Sequence, residues 1–355
     1  MTTTSQGDPR PLVSVVMPVR NEADFIARSL GAVLAQRWPA DRLEVLVVDG
    51  RSTDGTRERV EAIAATTDVA MRLLDNPGRT APCALNVGIA AARGDIIVRV
   101  DGHCEIGPDY VAHGVRHLLE DGADGVGGPL KTIPLDPSDP VARTIAAAMS
   151  SPFGVGGSAF RVSRPGDYLR EVDTVAFPAY TRAALERAGP FDEELVRNQD
   201  DEYNDRLRRL GGRILLAGDM PARYYARSSW RKLARQYFQY GLYKIRVLQK
   251  HPRQLSWRHG VPGVFVAALT VALLVGATGL LGAPLLSWAP LAAIVGAYLV
   301  AILLATLFEI RRHDLAVTTR LPLAYALLHL GYGAGTLLGL VRWWRRWGDR
   351  STPGT

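Results

Sequence analysis

Three apolar runs, Val261 to Leu281, Leu286 to Ile310 and Leu321 to Val341, fill the last third of this 355-residue chain. Each is long enough to cross a bilayer as a helix, the one open structure in hydrocarbon that satisfies its own backbone polar groups. The first two carry essentially no charge and read as transmembrane helices. The third contains His329 and several glycines, and its topology conflicts with the positive-inside tendency. With the front of the chain in the cytoplasm, three crossings put Arg342, Arg345 and Arg346 outside, whereas Arg311 and Arg312 fall correctly inside. A re-entrant or in-plane third segment removes the conflict; the sequence leaves both arrangements open.

Ahead of these runs, up to about residue 258, the chain is a charged mixture typical of a soluble domain. The formal net charge is +7. Its cations gather between Arg223 and Arg258 and around Arg342 to Arg350, flanking apolar stretches, which suits anionic lipid head groups better than a nucleic-acid groove. No nucleic-acid motif is present. Met1 to Arg10 is polar and lacks a hydrophobic signal region, so the front domain is expected in the cytoplasm. The two cysteines, Cys83 and Cys104, lack metal-ligand spacing and are expected as free thiols.

Leu12 to Met17, closed by Pro18, reads as a first buried strand, and Asn21 to Gln36 as a helix with Asn21 as its N-cap. Leu43 to Val48 gives a second strand, Ser52 to Ile63 a helix, and Met71 to Leu74 a third strand. Cys83 to Arg93 gives another helix, and Asp95 to Val100 a fourth strand. This alternation predicts a doubly wound, mostly parallel α/β sheet. From Asp121 to Asp173 the signals weaken amid many Gly and Pro residues. Thr181 to Ala188 and Asp200 to Leu210 read as helices, and Ser229 to Lys250 as a basic, aromatic amphipathic helix at the membrane surface.

Carboxylates stand at strand C-terminal ends, where open α/β sheets bind ligands. They occur in Val48-Asp-Gly-Arg-Ser-Thr-Asp-Gly-Thr56 and in Arg99-Val-Asp-Gly-His103. Asp49 can accept from a nucleobase N–H, with Arg20 and Glu22 on the same rim. Asp101 and His103 offer an oxygen and an imidazole to one divalent ion. A third acidic cluster, Gln199-Asp-Asp-Glu202, opens a helix, where a carboxylate is stabilised in the ionised form a general base needs. Asp54 is equally a helix cap. No G-x-G-x-x-G follows the first strand, which argues against a dinucleotide enzyme.

At these spacings the chain resembles the inverting family-2 glycosyltransferases, whose catalytic domain has the A-type nucleotide-sugar fold. The resemblance covers roughly Val13 to Lys250. It rests on Val15-Val-Met-Pro-Val-Arg-Asn-Glu22, Val48 to Thr56, Asp101-Gly-His103, Gly189-Pro-Phe-Asp192 and Gln199 to Glu202. Gly78 to Asn86, Val172 to Phe177 and Gln236 to Gly241 are similar to the membrane-associated succinoglycan-type glucosyltransferases. The resemblance implies a donor pocket formed by Pro18, Arg20, Glu22, Asp49, Arg79 and Asp101. It implies a divalent cation, Mg²⁺ or Mn²⁺, at Asp101 and His103, with Asp200 as catalytic base. It places Phe191, Asp192, Gln199, Arg235, Gln236 and Tyr240 near the acceptor or the diphosphate. His103 stands where the family's metal motif has its second acid, and Gln199 where it has the Glu before the base.

The implied organisation is a polar tail (1–10), a glycosyltransferase domain (11–228), a basic membrane-surface segment (229–258), a membrane domain of two to three helices (259–341) and a basic tail (342–355). The expected protein is a multi-pass cell-membrane enzyme with its catalytic domain in the cytoplasm. It would move a sugar from a nucleotide-sugar donor, UDP-linked by resemblance, to a lipid-linked saccharide or glycan, with membrane lipids as partners. A short membrane tail is thin for the channel of a processive synthase. The alternative is an inactive membrane scaffold that keeps the nucleotide-binding fold.

Overall fold

The computed structural model describes residues 10–226, 228–254, 256–279 and 284–348. Its strands are β1 (Val13–Val19), β2 (Leu43–Asp49), β3 (Ala70–Asp75), β4 (Ile96–Arg99), β5 (Cys104–Ile106), β6 (Gly125–Gly128), β7 (Leu130–Ile133), β8 (Leu169–Glu171), β9 (Ala176–Thr181), β10 (Ile214–Ala217) and β11 (Ala222–Tyr225). The helices of the front domain are α1 (Ile26–Leu34), α2 (Thr56–Ala64), α3 (Ala81–Ala91), α4 (Tyr110–Leu119), α5 (Pro140–Ala148), α6 (Pro152–Val155), α7 (Ala159–Val162), α8 (Arg182–Ala188) and α9 (Gln199–Arg209). After them come α10 (Trp230–Lys250), α11 (Trp257–Thr278), α12 (Pro284–Glu309), α13 (Leu315–Thr318) and α14 (Leu321–Arg342).

The β-branched runs become the centre of an eight-stranded sheet of order β3-β2-β1-β4-β9-β6-β10-β8. The first four strands run parallel, and β9 lies antiparallel between β4 and β6. Every residue of β2, and all of β1 but one, is buried, as a strand covered by helices on both faces requires. Chain order reverses between β1 and β4, so a crevice opens there above their C-terminal ends. A second, three-stranded sheet, β5-β11-β7, stands beside it.

Two sequence expectations shift. Asn21 does not cap α1: it has a positive φ of 54°, and the helix starts later, with Phe25 at the N-cap. The Asn21 side chain instead accepts from the Thr53 N–H, pinning the loop after β1 to the loop after β2. The weakly patterned stretch from Asp121 to Asp173 holds six elements, β6, β7, α5, α6, α7 and β8; five of them are only three or four residues long, too brief to carry a periodic signal, and α5 is missed among them. Both cysteines are free thiols, as expected.

Behind the front domain α10 and α14 lie parallel and in backbone contact. Gly331, Gly335 and Gly339 form one stripe of α14. A Cβ added at Gly335 would lie 2.0 Å from the Phe238 carbonyl oxygen, and one at Gly241 of α10 would lie 1.9 Å from that of Tyr332. Small residues at this spacing let two backbones meet. The third apolar run is thus one uninterrupted helix rather than a re-entrant hairpin. Helices α11 and α12 pack on each other and turn Val264, Leu274, Leu299 and Leu303 outward. All three are long and apolar enough to be candidate membrane spans.

The basic segment divides. Arg231, Lys232 and Arg235 are exposed, but Lys244, Arg246 and Lys250 are buried against carboxylates of the front domain. Lys244 meets Asp201 at 3.4 Å, and Arg246 holds Glu194 through two bonds of 2.9 and 3.0 Å. Lys250 pairs with Asp192 and Glu194. Arg346 also reaches Glu194. Lys244, Arg246 and Lys250 therefore face protein carboxylates rather than lipid head groups. Residues 1–9 of the polar tail and 349–355 of the basic tail lie outside the described residues.

Candidate functional site

The rim of the crevice is built by three loops that follow parallel strands. After β2, Asp49 is fully buried and accepts from the Ser52 N–H and hydroxyl and from Arg57 Nη1 at 3.0 Å. Arg57 also reaches Asp75 at 2.8 Å, the register neighbour of Asp49 on β3. Two carboxylates hold this guanidinium charged and raise its pKa. Asp54 opposes the loop after β1, accepting from the Ala23 N–H with one oxygen and from Thr56 with the other. Burial pushes its carboxyl up, but the bonds from Thr56 and Ala23 outweigh that and lower it. Asp54 is thus a loop clamp; the N-cap of α2 is Gly55. Arg20 lies exposed on the rim and donates to the Arg79 carbonyl at 3.2 Å, bringing two of the expected donor residues together. Pro18 sits opposite Val48 in the β1–β2 register.

At the end of β4 one guanidinium joins two of the residues singled out from sequence. Arg99, nearly buried, donates to both oxygens of Asp101, at 2.8 and 3.1 Å, and to Asp200 Oδ1. The charge sits at the end of an otherwise apolar strand, and a buried charge must be paired. Arg99 received no role from the sequence, although a charge closing the run Ile96-Ile-Val-Arg99 is the signal that could have identified it.

Asp200 opens α9, whose N-cap, Asn198, has a left-handed φ of 61°. Asn198 Nδ2 donates to the Tyr240 carbonyl of α10 at 2.9 Å, which fixes this turn. The remaining acids of the cluster have other partners. Asp201 meets Lys244, and buried Glu202 is bound by Arg206 and, at 3.0 Å, by His251. Burial pushes the Glu202 carboxyl up, but its His251 and Arg206 bonds win and lower it. Of the three acids in the first turn, Asp200 is the one brought to Arg99 and Asp101. Gln199 beside it is buried.

His103 is held by Glu22. Its Nδ1 lies 2.9 Å from Glu22 Oε1, and its ring packs edge-on against Tyr224 at 5.0 Å. With the Nδ1 proton shared with a carboxylate, Nε2 is the ring position left to accept or to bind a cation, the arrangement carboxylates impose on metal-ligating histidines. Glu22 Oε2 is buried without a hydrogen-bond partner among the described residues. Asp101 and His103, two residues apart, each keep a donor atom that Arg99 and Glu22 do not use, so the pair fits one divalent ion. Arg99 uses one lone pair on each oxygen of Asp101 and leaves others. Among the described residues no group of three His, Cys, Asp or Glu ligands occurs, so the chain alone does not form a closed metal cage.

The remaining expected residues separate. Gln236 is buried and donates to Tyr224 at 3.2 Å and to the Tyr240 hydroxyl at 3.0 Å, so α10 supports the side of the crevice that carries His103. Arg235 is exposed on the same helix. Phe191 stacks on Tyr203 with ring centroids 3.9 Å apart, and its backbone N–H donates to Asn86 Oδ1 while its carbonyl accepts from Asn86 Nδ2, so its contacts are those of a core residue. Asp192 pairs with Lys250 and accepts from the Glu194 N–H.

Residues 14–184 match the family model described as glycosyl transferase family 2. The succinoglycan biosynthesis protein ExoA of Rhizobium meliloti is 31% identical over 251 residues, 70% of this chain and 73% of that protein. A dolichyl N-acetyl-alpha-D-glucosaminyl phosphate 3-beta-D-2,3-diacetamido-2,3-dideoxy-beta-D-glucuronosyltransferase of Methanococcus voltae is 26% identical across 93% of this chain and 97% of its own. Among solved structures, the mannosyltransferase PcManGT from Pyrobaculum calidifontis, in complex with GDP-Man and Mn²⁺, superposes with a TM-score of 0.56 at 23% identity. That match covers 92% of this chain and 87% of the mannosyltransferase, and it shows the shared fold.

Proposed function

The chain belongs to glycosyl transferase family 2, and from that premise we propose that it transfers a sugar with inversion from a UDP-linked donor to a lipid-linked saccharide or glycan at the membrane. The observation that carries this reading is the Arg99 bridge, which gathers Asp101 and Asp200 at the crevice between β1 and β4. The nucleobase and ribose would lie over Pro18, Arg20, Asp49 and Arg79. The diphosphate would lie toward Asp101 and His103.

In the proposed reaction Asp200 accepts the proton of an acceptor hydroxyl while that oxygen attacks the anomeric carbon. The bond from that carbon to the diphosphate breaks, and the nucleoside diphosphate leaves. A single displacement turns an α-linked donor into a β-linked product. Arg99 engages Asp200 at Oδ1, fixing the direction in which the carboxylate faces. A positioned base contributes roughly 10²- to 10⁴-fold. Asp101 and His103 would hold a Mg²⁺ or Mn²⁺, which supplies charge neutralisation to a departing diphosphate. Glu22 then orients His103 and is not free to bind ribose with Oε1. The lipid-linked acceptor is supported by the Methanococcus voltae relative, whose name specifies a dolichyl phosphate-linked sugar, and by the apolar helices. A cytoplasmic catalytic domain is part of this proposal, and synthesis of a surface polysaccharide or glycolipid is supported by the ExoA likeness.

The test is transfer by the detergent-purified protein with UDP-, GDP- and dTDP-sugars and a lipid extract, with Mn²⁺, Mg²⁺ or EDTA. Metal-dependent transfer from the UDP-sugar, lost in Asp200→Asn with nucleotide binding kept, is expected. Transfer unaffected by Asp200→Asn would remove the assigned base. A folded, nucleotide-binding protein inert with every donor and acceptor would favour the scaffold reading.

A further inference from the structure

The third apolar helix, α14, is bound to the catalytic domain along its length. Just before it, Asp314 pairs with Arg143 of α5. In its first half, the Tyr325 hydroxyl donates to Ser151 at 3.1 Å, and His329 Nε2 lies 2.8 Å from the Phe153 carbonyl oxygen, at the start of α6. Past its end, the Trp343 carbonyl accepts from Gln249, and Arg346 pairs with Glu194. A helix of this length rises about 33 Å, the thickness of a bilayer core. Its two ends nevertheless meet the same domain.

Its parallel neighbour α10 gives an independent reason. The Gly331, Gly335 and Gly339 stripe rests on the backbone of Ala234, Phe238 and Leu242. Helix α10 carries exposed Arg231, Lys232 and Arg235 near its start, and Lys244, Arg246 and Lys250 bound to Asp201, Glu194 and Asp192 of the catalytic domain near its end. Such a helix cannot enter hydrocarbon, where each charge is costly, and α14 cannot cross while its backbone touches α10 over two turns. The face of α14 turned away from the protein is apolar: Leu323, Leu330, Leu338 and Val341 are exposed, with exposed Trp344 and Trp347 just beyond. Tryptophans and arginines at such a position belong to the membrane–water interface.

The α11–α12 hairpin behaves differently. It leaves the catalytic domain where Arg258 donates to the Gly156 carbonyl and returns at Asp314; it touches α14 where Gly333 meets the Pro262 carbonyl and where the Tyr298 hydroxyl meets His329, but most of its surface is left unburied by protein. We infer that the chain crosses the bilayer twice, through α11 and α12, while α14 lies in the plane of the leaflet beneath the catalytic domain, its leucine face in the acyl boundary. Residues after α14 then stay on the catalytic side, where Arg342, Arg345 and Arg346 obey the positive-inside tendency. This arrangement is independent of the sugar, the nucleotide and the catalytic base.

The full-length protein with Cys83→Ser tests it, because Cys104 is buried and serves as the unlabelled background. Single cysteines are placed by Leu119→Cys on the catalytic domain, Gly282→Cys between α11 and α12, and Ser351→Cys after α14, and labelled with an impermeant maleimide in intact cells and in inverted vesicles. Positions 119 and 351 are expected to label from one side and 282 from the other. Labelling of 351 together with 282 overturns the inference, as does labelling of all three from one side. Depth gives a second readout: spin labels at Leu323→Cys, Leu330→Cys and Leu338→Cys in liposomes should report the same shallow depth. A graded depth with 330 at the bilayer centre would show a crossing helix.

Discussion

Arg99 decides the arrangement of the candidate site, because a planar guanidinium can hold two carboxylates in fixed directions and an ammonium cannot. Arg99→Lys is expected to lower kcat by about 10²-fold, the scale of a small misplacement of reacting groups, with a smaller change in donor KM. Equal losses in both would mean that Arg99 binds the donor instead. The Glu22–His103 pair makes a separate prediction. Glu22→Ala should weaken Mn²⁺ binding, measured calorimetrically with nucleoside diphosphate present, by roughly 10- to 100-fold while the melting temperature shows a folded protein. Unchanged affinity would place the ion elsewhere. Asp49, Asp101 and Asp200 were legible as residues because a strand end or a helix start exposes them in sequence. Their partners Arg57 and Arg99 were not, since pairing across loops depends on register, which local pattern does not encode.

At the scale of elements, β1, β2 and β4 were legible because buried parallel strands are continuous apolar runs, whereas β3, at the sheet edge with no buried residue, showed only a short apolar stretch. The β6–β8 region was not legible, because its elements are held by tertiary contacts rather than periodicity. Helix α10 shows how far an amphipathic pattern reaches. Its pattern marked one polar face correctly, yet Lys244, Arg246 and Lys250 turn to Asp201, Glu194 and Asp192, which only the fold brings there. The α10–α14 contact was present in the sequence as glycines four apart. Gly335→Leu must push a side chain into the Phe238 carbonyl and is expected to destabilise the detergent-purified protein by about 1–3 kcal/mol or more. Gly296→Leu, with open space around its position, should leave the melting temperature nearly unchanged. Equal effects of the two substitutions would deny the close contact.

In the whole molecule, Glu194 ties the catalytic domain to both α10 and the segment after α14. Burial pushes its carboxyl up, but the Arg246 and Lys250 bonds outweigh burial and pull it down to about 2. A carboxyl depressed in the folded state stabilises that state above its unfolded value near 4.5, and this contribution is lost as pH falls toward 2. Glu194→Gln should therefore lower the melting temperature at pH 7 and flatten its fall between pH 4.5 and 2. An identical pH profile in variant and wild type would release Glu194 from this role. The same coupling would hold the crevice at a fixed height over the leaflet that supplies a lipid-linked acceptor. The most direct measurement of the central claim is the anomeric configuration of the product, read by proton NMR after transfer from an α-linked UDP-sugar. A β-linked product, its formation reduced roughly 10²- to 10⁴-fold in Asp200→Asn, is predicted. An α-linked product would contradict the single displacement on which the account rests.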